Sequence, residues 1–432
     1  MITRSALSPL AILAALCCVT ASAAQYIAPL ISGNFNWTNT AQWSPVGSYP
    51  NSPSDEALFT NAATITVSVN GGPVTAAVVT LAGTRITLQN GSGSGRELFL
   101  TNNAGNPRIT AIGLPFNYQI VNNLITTFGQ PLDVVATNTL RFYPNMVSSA
   151  DVNLIANGGV IHLGDSYIVV NISTGYTGAV HVKGGNSAGQ YVAYKTWALS
   201  NSAAYVVEGG RLAFMALTQP QAALPVVSNI SPLILNEGAT LYALNNATNG
   251  ILLLKDVTVN GVVTNEYQTH TLSFTYLADV KGTGAVVNYL NGSIDTVTNL
   301  FLGSISPGFS AGTLTLDEAN GVTKLGASGS PVTLNIEDGD RVALINMGAA
   351  VDLQNINVKF LTTTVPGTTN WFLHSDSGFA GGAFNTVDPG TFVCFVVSNV
   401  PGMPDYIGAV VVPEPVVLAV PFLALLLRRC RR

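Results

Sequence analysis

Charged side chains are scarce in this chain: Asp, Glu, Lys and Arg make up 9% of its 432 residues, against about 25% in ordinary soluble proteins. Of the 17 basic residues, Arg4 and the four at 428, 429, 431 and 432 lie in the two terminal segments. Without them, 12 basic residues face 22 acidic ones, all between Gln25 and Pro415, so the body carries about −10. No cluster of Lys and Arg is left to neutralise phosphates, which argues against nucleic acid as a partner.

Cysteine and histidine are scarce too. Of four cysteines, Cys17 and Cys18 fall in the N-terminal apolar stretch and Cys430 in the C-terminal arginine cluster, leaving Cys394 alone in the body. An intramolecular disulfide of the body is therefore excluded. Cys394, in TFVCFVVSN, alternates with aromatic and β-branched neighbours, the pattern of a buried core thiol rather than a nucleophile. Neither Cys17 nor Cys18 follows the small residues that lipidation requires. The four histidines, His162, His181, His270 and His374, are far apart and lack metal-ligand spacing, so no metal or other cofactor is expected.

Long helical patterns are absent as well. From Gln25 to Val412 the chain reads as short β-branched and apolar runs separated by Gly and Asn turns. ATITVSVNGG alternates Ile65, Val67 and Val69 with Thr and Ser, then turns at Asn70-Gly71-Gly72: a half-buried strand followed by a turn with positive φ. Similar turns occur at Asn157-Gly158-Gly159 and Asn260-Gly261, and Asn-Gly steps recur at Asn90, Asn249, Asn291 and Asn320. Their spacing is irregular, so no fixed sequence repeat emerges. Strands without intervening helices exclude βαβ units. The expected fold is all-β: a parallel β-helix (β-solenoid) over 25–320, in which coils stack and corner Asn side chains form ladders. A β-rich, sandwich-like portion is expected over 321–412, where VTLNIEDGDRVALINM reads as a hairpin turning at Asp338-Gly339.

The two ends differ from the body. Residues 1–24 have the form of a helical secretory signal: Arg4, an apolar stretch from Leu7 to Val19, and small residues Ala21, Ser22, Ala23 and Ala24 as the cleavage region before Gln25. At the other end, 413–432, VPEPVVLAVPFLALLLRRCRR places Pro413, Glu414 and Pro415 ahead of twelve apolar residues, Val416 to Leu427, then Arg428, Arg429, Arg431 and Arg432. Twelve helical residues reach roughly 18 Å, short of a hydrocarbon core of about 30 Å. Extended upstream through IGAVVV, with the arginines held on the cytoplasmic side, the segment can halt in the inner membrane with the body outside. Pro-Glu-Pro is kept extended, because residues before proline avoid the α region.

Three stretches carry a family resemblance. GNFNWTNTAQWSPVGSYPNSPSDEALF, with Trp37, Trp43, Pro50, Pro53, Asp55-Glu56-Ala57 and Phe59, resembles the opening module of secreted proteins with autotransporter-associated β-strand repeats. GSISPGFSAGTLTLDEANG, Gly303 to Gly321, resembles a segment late in the same proteins. The tail resembles the PEP-CTERM sorting signal of exopolysaccharide-producing Gram-negative bacteria. That resemblance implies an exosortase-type membrane enzyme as a partner that reads Pro413, Glu414 and Pro415, with the arginines as the stop. It also implies transient residence in the inner membrane, then the cell surface or extracellular space. Cys430 interrupts the arginine cluster and Pro421 lies inside the apolar segment, two departures from the family pattern. No C-terminal run of strands long enough for a membrane barrel follows the body.

Catalytic patterns are weak. GFSAG, Gly308 to Gly312, fits G-x-S-x-G, but a nucleophile elbow needs a helix after the serine, and TLTLDE reads as strand. Asp317-Glu318 and Glu337-Asp338-Asp340 could supply Ca²⁺ ligands, yet EDGD is also an ordinary turn with solvated charges. His162 precedes Asp165 closely, as polar residues on strand edges commonly do. Asp133, Arg141, Asp151, Asp165 and Arg211 are too scattered in sequence to nominate a pair. The expected role is a non-enzymatic structural or adhesive surface protein, with extracellular polysaccharide as a partner of its Asn/Thr/Ser-rich surface. The alternatives are a polysaccharide-degrading enzyme, which three or more carboxylates on one solenoid face would favour, and a permanently membrane-anchored surface protein.

Overall fold

The computed structural model describes residues 23–28, 32–60, 63–91, 96–113, 118–163, 175–185, 191–194, 202–215, 226–229, 232–244, 250–264, 272–288, 298–308, 311–319, 321–361, 368–389, 392–397 and 405–411. Among them, helix is limited to two 3-10 turns, Thr40–Gln42 and Leu353–Asn355. Everything else regular is strand, and the strands wind into a three-faced parallel β-solenoid.

The first face begins with Gln25–Ala28, Glu56–Phe59 and Val78–Gly83 and continues, one strand per coil, to Ile356–Phe360 and Thr386–Asp388. The second runs from Gly33–Asn36 and Thr64–Val69 to Arg341–Ile345 and Thr369–Ser375. The third is broken: a separate five-stranded stack runs from Val226–Asn229 to Val322–Leu325, and Val351–Asp352 beyond it pairs with Phe379–Ala380.

Alternation explains the core. In Thr64–Val69, Ile65, Val67 and Val69 point inward and are buried, while the residues between them face out. Because the stacking is parallel and nearly in register, inward residues form columns, as in Leu132, Val152, Val180, Tyr205, Leu233, Val257 and Val280 on the first face. Each fully buried aliphatic side chain contributes about 1.5–3 kcal/mol.

The corner between the first two faces explains the recurrent glycines. Ala156 stacks on Gly184, Gly184 on Gly210 and Gly210 on Ala239. A Cβ on Gly210, whose φ is +98°, would lie 1.5 Å from the Gly184 carbonyl oxygen, and one on Gly261 would lie 2.2 Å from that of Ala239. Only the smallest residues fit where coils approach this closely.

The chain opens on an aromatic plug. Trp43 lies edge-on to Phe35 at 5.0 Å, and Trp37 and Trp43 are 5.5 Å apart. The Trp43 indole N–H donates to the Trp37 carbonyl at 2.7 Å, and that of Trp37 to the Pro50 carbonyl at 3.0 Å. Phe59 completes the cluster, so the aromatic residues of the opening motif seal one end of the core. At the other end Asp405–Val411 pairs antiparallel with both Thr369–Ser375 and Phe392–Val397, and Phe392 stacks on Phe360 at 4.1 Å.

Two expectations are corrected here. Val332–Ile336 and Arg341–Ile345 do not form a hairpin: the first pairs in parallel with Ser304–Ser306 and Ile356–Phe360, the second with Thr313–Asp317 and Thr369–Ser375. The turn at Asp338-Gly339 is a coil corner, and Asp340 is buried at 1% exposure rather than solvated. Its carboxylate accepts from Glu337 N at 3.0 Å and Gly312 N at 3.2 Å. The expected sandwich over 321–412 is likewise replaced by continued parallel coils up to Thr386–Asp388, with antiparallel pairing confined to the final strands. A strand that alternates apolar and polar residues suits either arrangement; stacking on the preceding coil decides it.

Candidate functional site

The densest group of charges among the described residues lies on the outer side of the first face. Register places Arg108 beside Asp133, Asp133 beside Asn153, and Asn153 beside His181, each on a successive coil. Asp133 accepts from Asn153 Nδ2 at 2.8 Å and Asn106 Nδ2 at 3.2 Å, and lies 3.5 Å from Arg108 Nη2. One coil further on, His181 bridges two carboxylates, with Nε2 3.5 Å from Asp151 and Nδ1 2.6 Å from Glu208. Lys183 Nζ lies 3.1 Å from the other Glu208 oxygen. Asp151 also accepts from Ala179 N at 2.9 Å.

A bulge positions Glu208. Val182 opposes Val207 but Lys183 opposes Gly209, so Glu208 is the extra residue, turned outward against His181 and Lys183. Burial works against its ionisation, but hydrogen bonds and charges from Lys183 and His181 outweigh it, holding its carboxyl below the usual range. Both imidazole nitrogens are thus engaged. The arrangement laces three coils together.

Asp133 and Asp151, scattered in sequence, are brought onto one face with Glu208, because coils of unequal length stack them. Neither Glu208 nor the role of His181 was legible in the sequence. The signal for Glu208 is Gly209-Gly210 immediately after it, inside a strand, where paired glycines mark a bulge. Of the other residues considered, Arg141 packs over the Tyr118 ring at 4.2 Å, and Asp165 lies outside the described residues.

At GFSAG, Gly308 and Ala311 pair in an isolated antiparallel bridge, and the strand Thr313–Asp317 follows where an elbow requires helix. Ser310 itself lies outside the described residues. His374 stacks on Tyr406 at 4.8 Å in the terminal antiparallel sheet; burial, helped by the Arg341 charge, lowers its pKa. Cys394 is half-buried against the core, and burial pushes its thiol up to about 12, so it is no nucleophile at neutral pH. Among the described residues no three His, Cys, Asp or Glu are grouped to hold a metal ion.

No family model, curated protein or solved structure matches this chain. The sorting residues Pro413, Glu414, Pro415, Arg428, Arg429, Arg431 and Arg432, together with Ala21, lie outside the described residues. Ala23 is exposed and Ala24 lies just ahead of the first strand, its carbonyl accepting from Glu56 N at 2.9 Å. Among the described residues no helix is long and apolar enough to cross a membrane.

Further along the first face the outer ladder becomes small and polar. Asp279 accepts from Ser304 at 2.8 Å and Ser306 at 3.0 Å, and Asn335 donates to Ser306 at 3.1 Å. Asn357 accepts from Asn385 and Thr386, both at 2.7 Å. Inside the solenoid, Asn299 donates to Asn288 at 2.6 Å and Asn288 to Thr323 at 3.2 Å, all three buried.

Proposed function

We propose that this protein is an exported, non-enzymatic β-solenoid that serves a structural or adhesive role at the cell surface or in an extracellular polysaccharide matrix. One observation carries the reading: on the outer first face Asp133, Asp151, Glu208 and Asp279 are each held by donors from adjoining coils. Carboxylates committed to stacking stiffen the coils, a use that differs from standing free as an acid/base pair for cleaving a glycosidic bond. The Ser, Thr and Asn ladder beyond them offers the hydroxyl and amide groups that hydrogen-bond to sugars.

Export and sorting belong to the same proposal. Ala21, Ala23 and Ala24 would be the leader's cleavage region, and Gln25, the residue that follows, starts the first strand. Pro413, Glu414 and Pro415 would be read by an exosortase-type membrane enzyme, with Arg428, Arg429, Arg431 and Arg432 on the cytoplasmic side. Intact-mass measurement of the exported protein, with and without that enzyme, tests this half. Loss of the 416–432 segment only when the enzyme is present is the expected result; retention in both strains overturns it.

A second reading, a polysaccharide-degrading enzyme, is favoured by one feature: Asp133, Asp151 and Glu208 share a face with His181, which lies 2.6 Å from Glu208. Loss of polysaccharide cleavage on His181→Ala would establish it.

A further inference from the structure

Among the described residues one buried acid, Glu318, has a side chain without a partner. Glu318 follows the strand Thr313–Asp317 and is only 9% exposed. Its backbone is fully used, with N–H donating to Ile345 O at 2.9 Å and C=O accepting from Gly321 N at 2.7 Å. Its side chain makes no hydrogen bond or ion pair among the described residues, and it lines a groove of about 720 Å³ with the apolar Leu325, Met347 and Val351 and two further charged residues, Lys324 and Asp352. The opposite wall approaches so closely that a Cβ on Gly348 would lie 3.2 Å from Glu318 Oε1. An acid side chain with no partner of its own, lining a groove, is free to pair with a cation that enters it.

The groove also has a backbone edge. The five-stranded stack of the third face ends at Val322–Leu325, and no described strand pairs with its far side. The next strand of that face in the chain, Val351–Asp352, pairs onward with Phe379–Ala380 instead. The chain between, through Gly348-Ala349-Ala350, is exposed and built of small residues. An unpaired edge beside an apolar slot is the geometry that accepts an added strand, whose main chain supplies hydrogen bonds while its side chains enter flanking pockets.

We propose that this groove binds an extended peptide segment as an added strand on Val322–Leu325, with a Lys or Arg side chain of that segment ion-paired to Glu318. The acidic body, near −10 without its terminal segments, steers a basic partner toward the site. The ion pair gives selectivity, and the strand edge gives the general affinity.

Fluorescence anisotropy with the exported protein and a labelled capped pentapeptide, Thr-Val-Lys-Val-Thr, tests this. Three competitors accompany it: the norleucine analogue at the lysine position, a version with proline in place of the second valine, and butylammonium. The lysine peptide is expected to bind, with norleucine and proline each weakening binding at least about tenfold. Glu318→Gln is expected to weaken the lysine peptide by a similar factor while the thermal midpoint stays the same or rises. Ala350→Trp, at an exposed wall position, is expected to block all peptide binding with circular dichroism unchanged. Equal binding of lysine and norleucine peptides, unchanged binding by Glu318→Gln, or no binding of any peptide would overturn the proposal. Butylammonium competing as well as the peptide would also overturn it, in favour of a small-amine site.

Discussion

Two stretches of the same solenoid treat carboxylates in opposite ways. In the coils that carry Asp133, Asp151 and Glu208, these three acids reach the surface to different degrees and each is held by a partner from a neighbouring coil. In the coils around Glu318, the acid is buried and unpartnered, beside a sheet that stops at Val322–Leu325. The fold beneath is the same: Leu154 in the first stretch and Leu334 in the second are both wholly buried and stacked in the first face. Stacking therefore decides what a carboxylate does. On the first face, in register at Asp133 and at the bulge of Glu208, an outward acid meets a cation or amide of the neighbouring coil; where the third face breaks, the acid meets a groove.

The core should be the common element. Leu154→Ala and Leu334→Ala are each expected to cost about 2–5 kcal/mol in chemical denaturation. A much smaller loss at Leu334 would show that the two stretches differ in packing as well as in charge.

Glu318 and Glu208 should then respond differently. Replacing Glu318 with Gln removes a charge that has no partner to lose, so the thermal midpoint is expected to stay the same or rise. Replacing Glu208 with Gln breaks an exposed network and is expected to destabilise by less than about 1 kcal/mol. That smaller loss should shrink in high salt, because exposed ion pairs are screened. A stabilising Glu208→Gln or a destabilising Glu318→Gln would break the comparison.

Acidification gives the smallest effect. The folded-state pKa of Glu208 is depressed, so its contribution is fully present above the ordinary carboxylate range and is lost as pH falls through the folded value. Thermal midpoints measured from neutral to acidic pH should fall less steeply in Glu208→Gln than in the parent. Parallel curves would mean that Glu208 has no such role.

Particular residues show how far the sequence could be read. Alternation at Ile65, Val67 and Val69 and the turn at Asn70-Gly71-Gly72 were legible, and both appear, with φ of +80° at Gly71 and +140° at Gly72. The solenoid followed from many such strands without helices. Its period stayed hidden because coil length varies: Leu132 pairs with Val152, 20 residues on, whereas Gln25 pairs with Glu56, 31 residues on. For the same reason the alignment of Asp133, Asp151, His181 and Glu208 could not be found by spacing. The corner at Asp338-Gly339 read as a hairpin because a two-residue turn between alternating strands has no local mark of which neighbour each strand will pair with. The groove at Glu318 was invisible, since it arises from a strand missing from a stack.

We propose that the outer face of this solenoid binds polysaccharide without cutting it. Incubating the exported protein with extracellular polysaccharide from the producing cells, and following co-sedimentation and new reducing ends together, tests that claim most directly. Co-sedimentation with no increase in chain ends is the predicted result. New chain ends that vanish in the His181→Ala protein would contradict it and make the Asp151–His181–Glu208 cluster an active site.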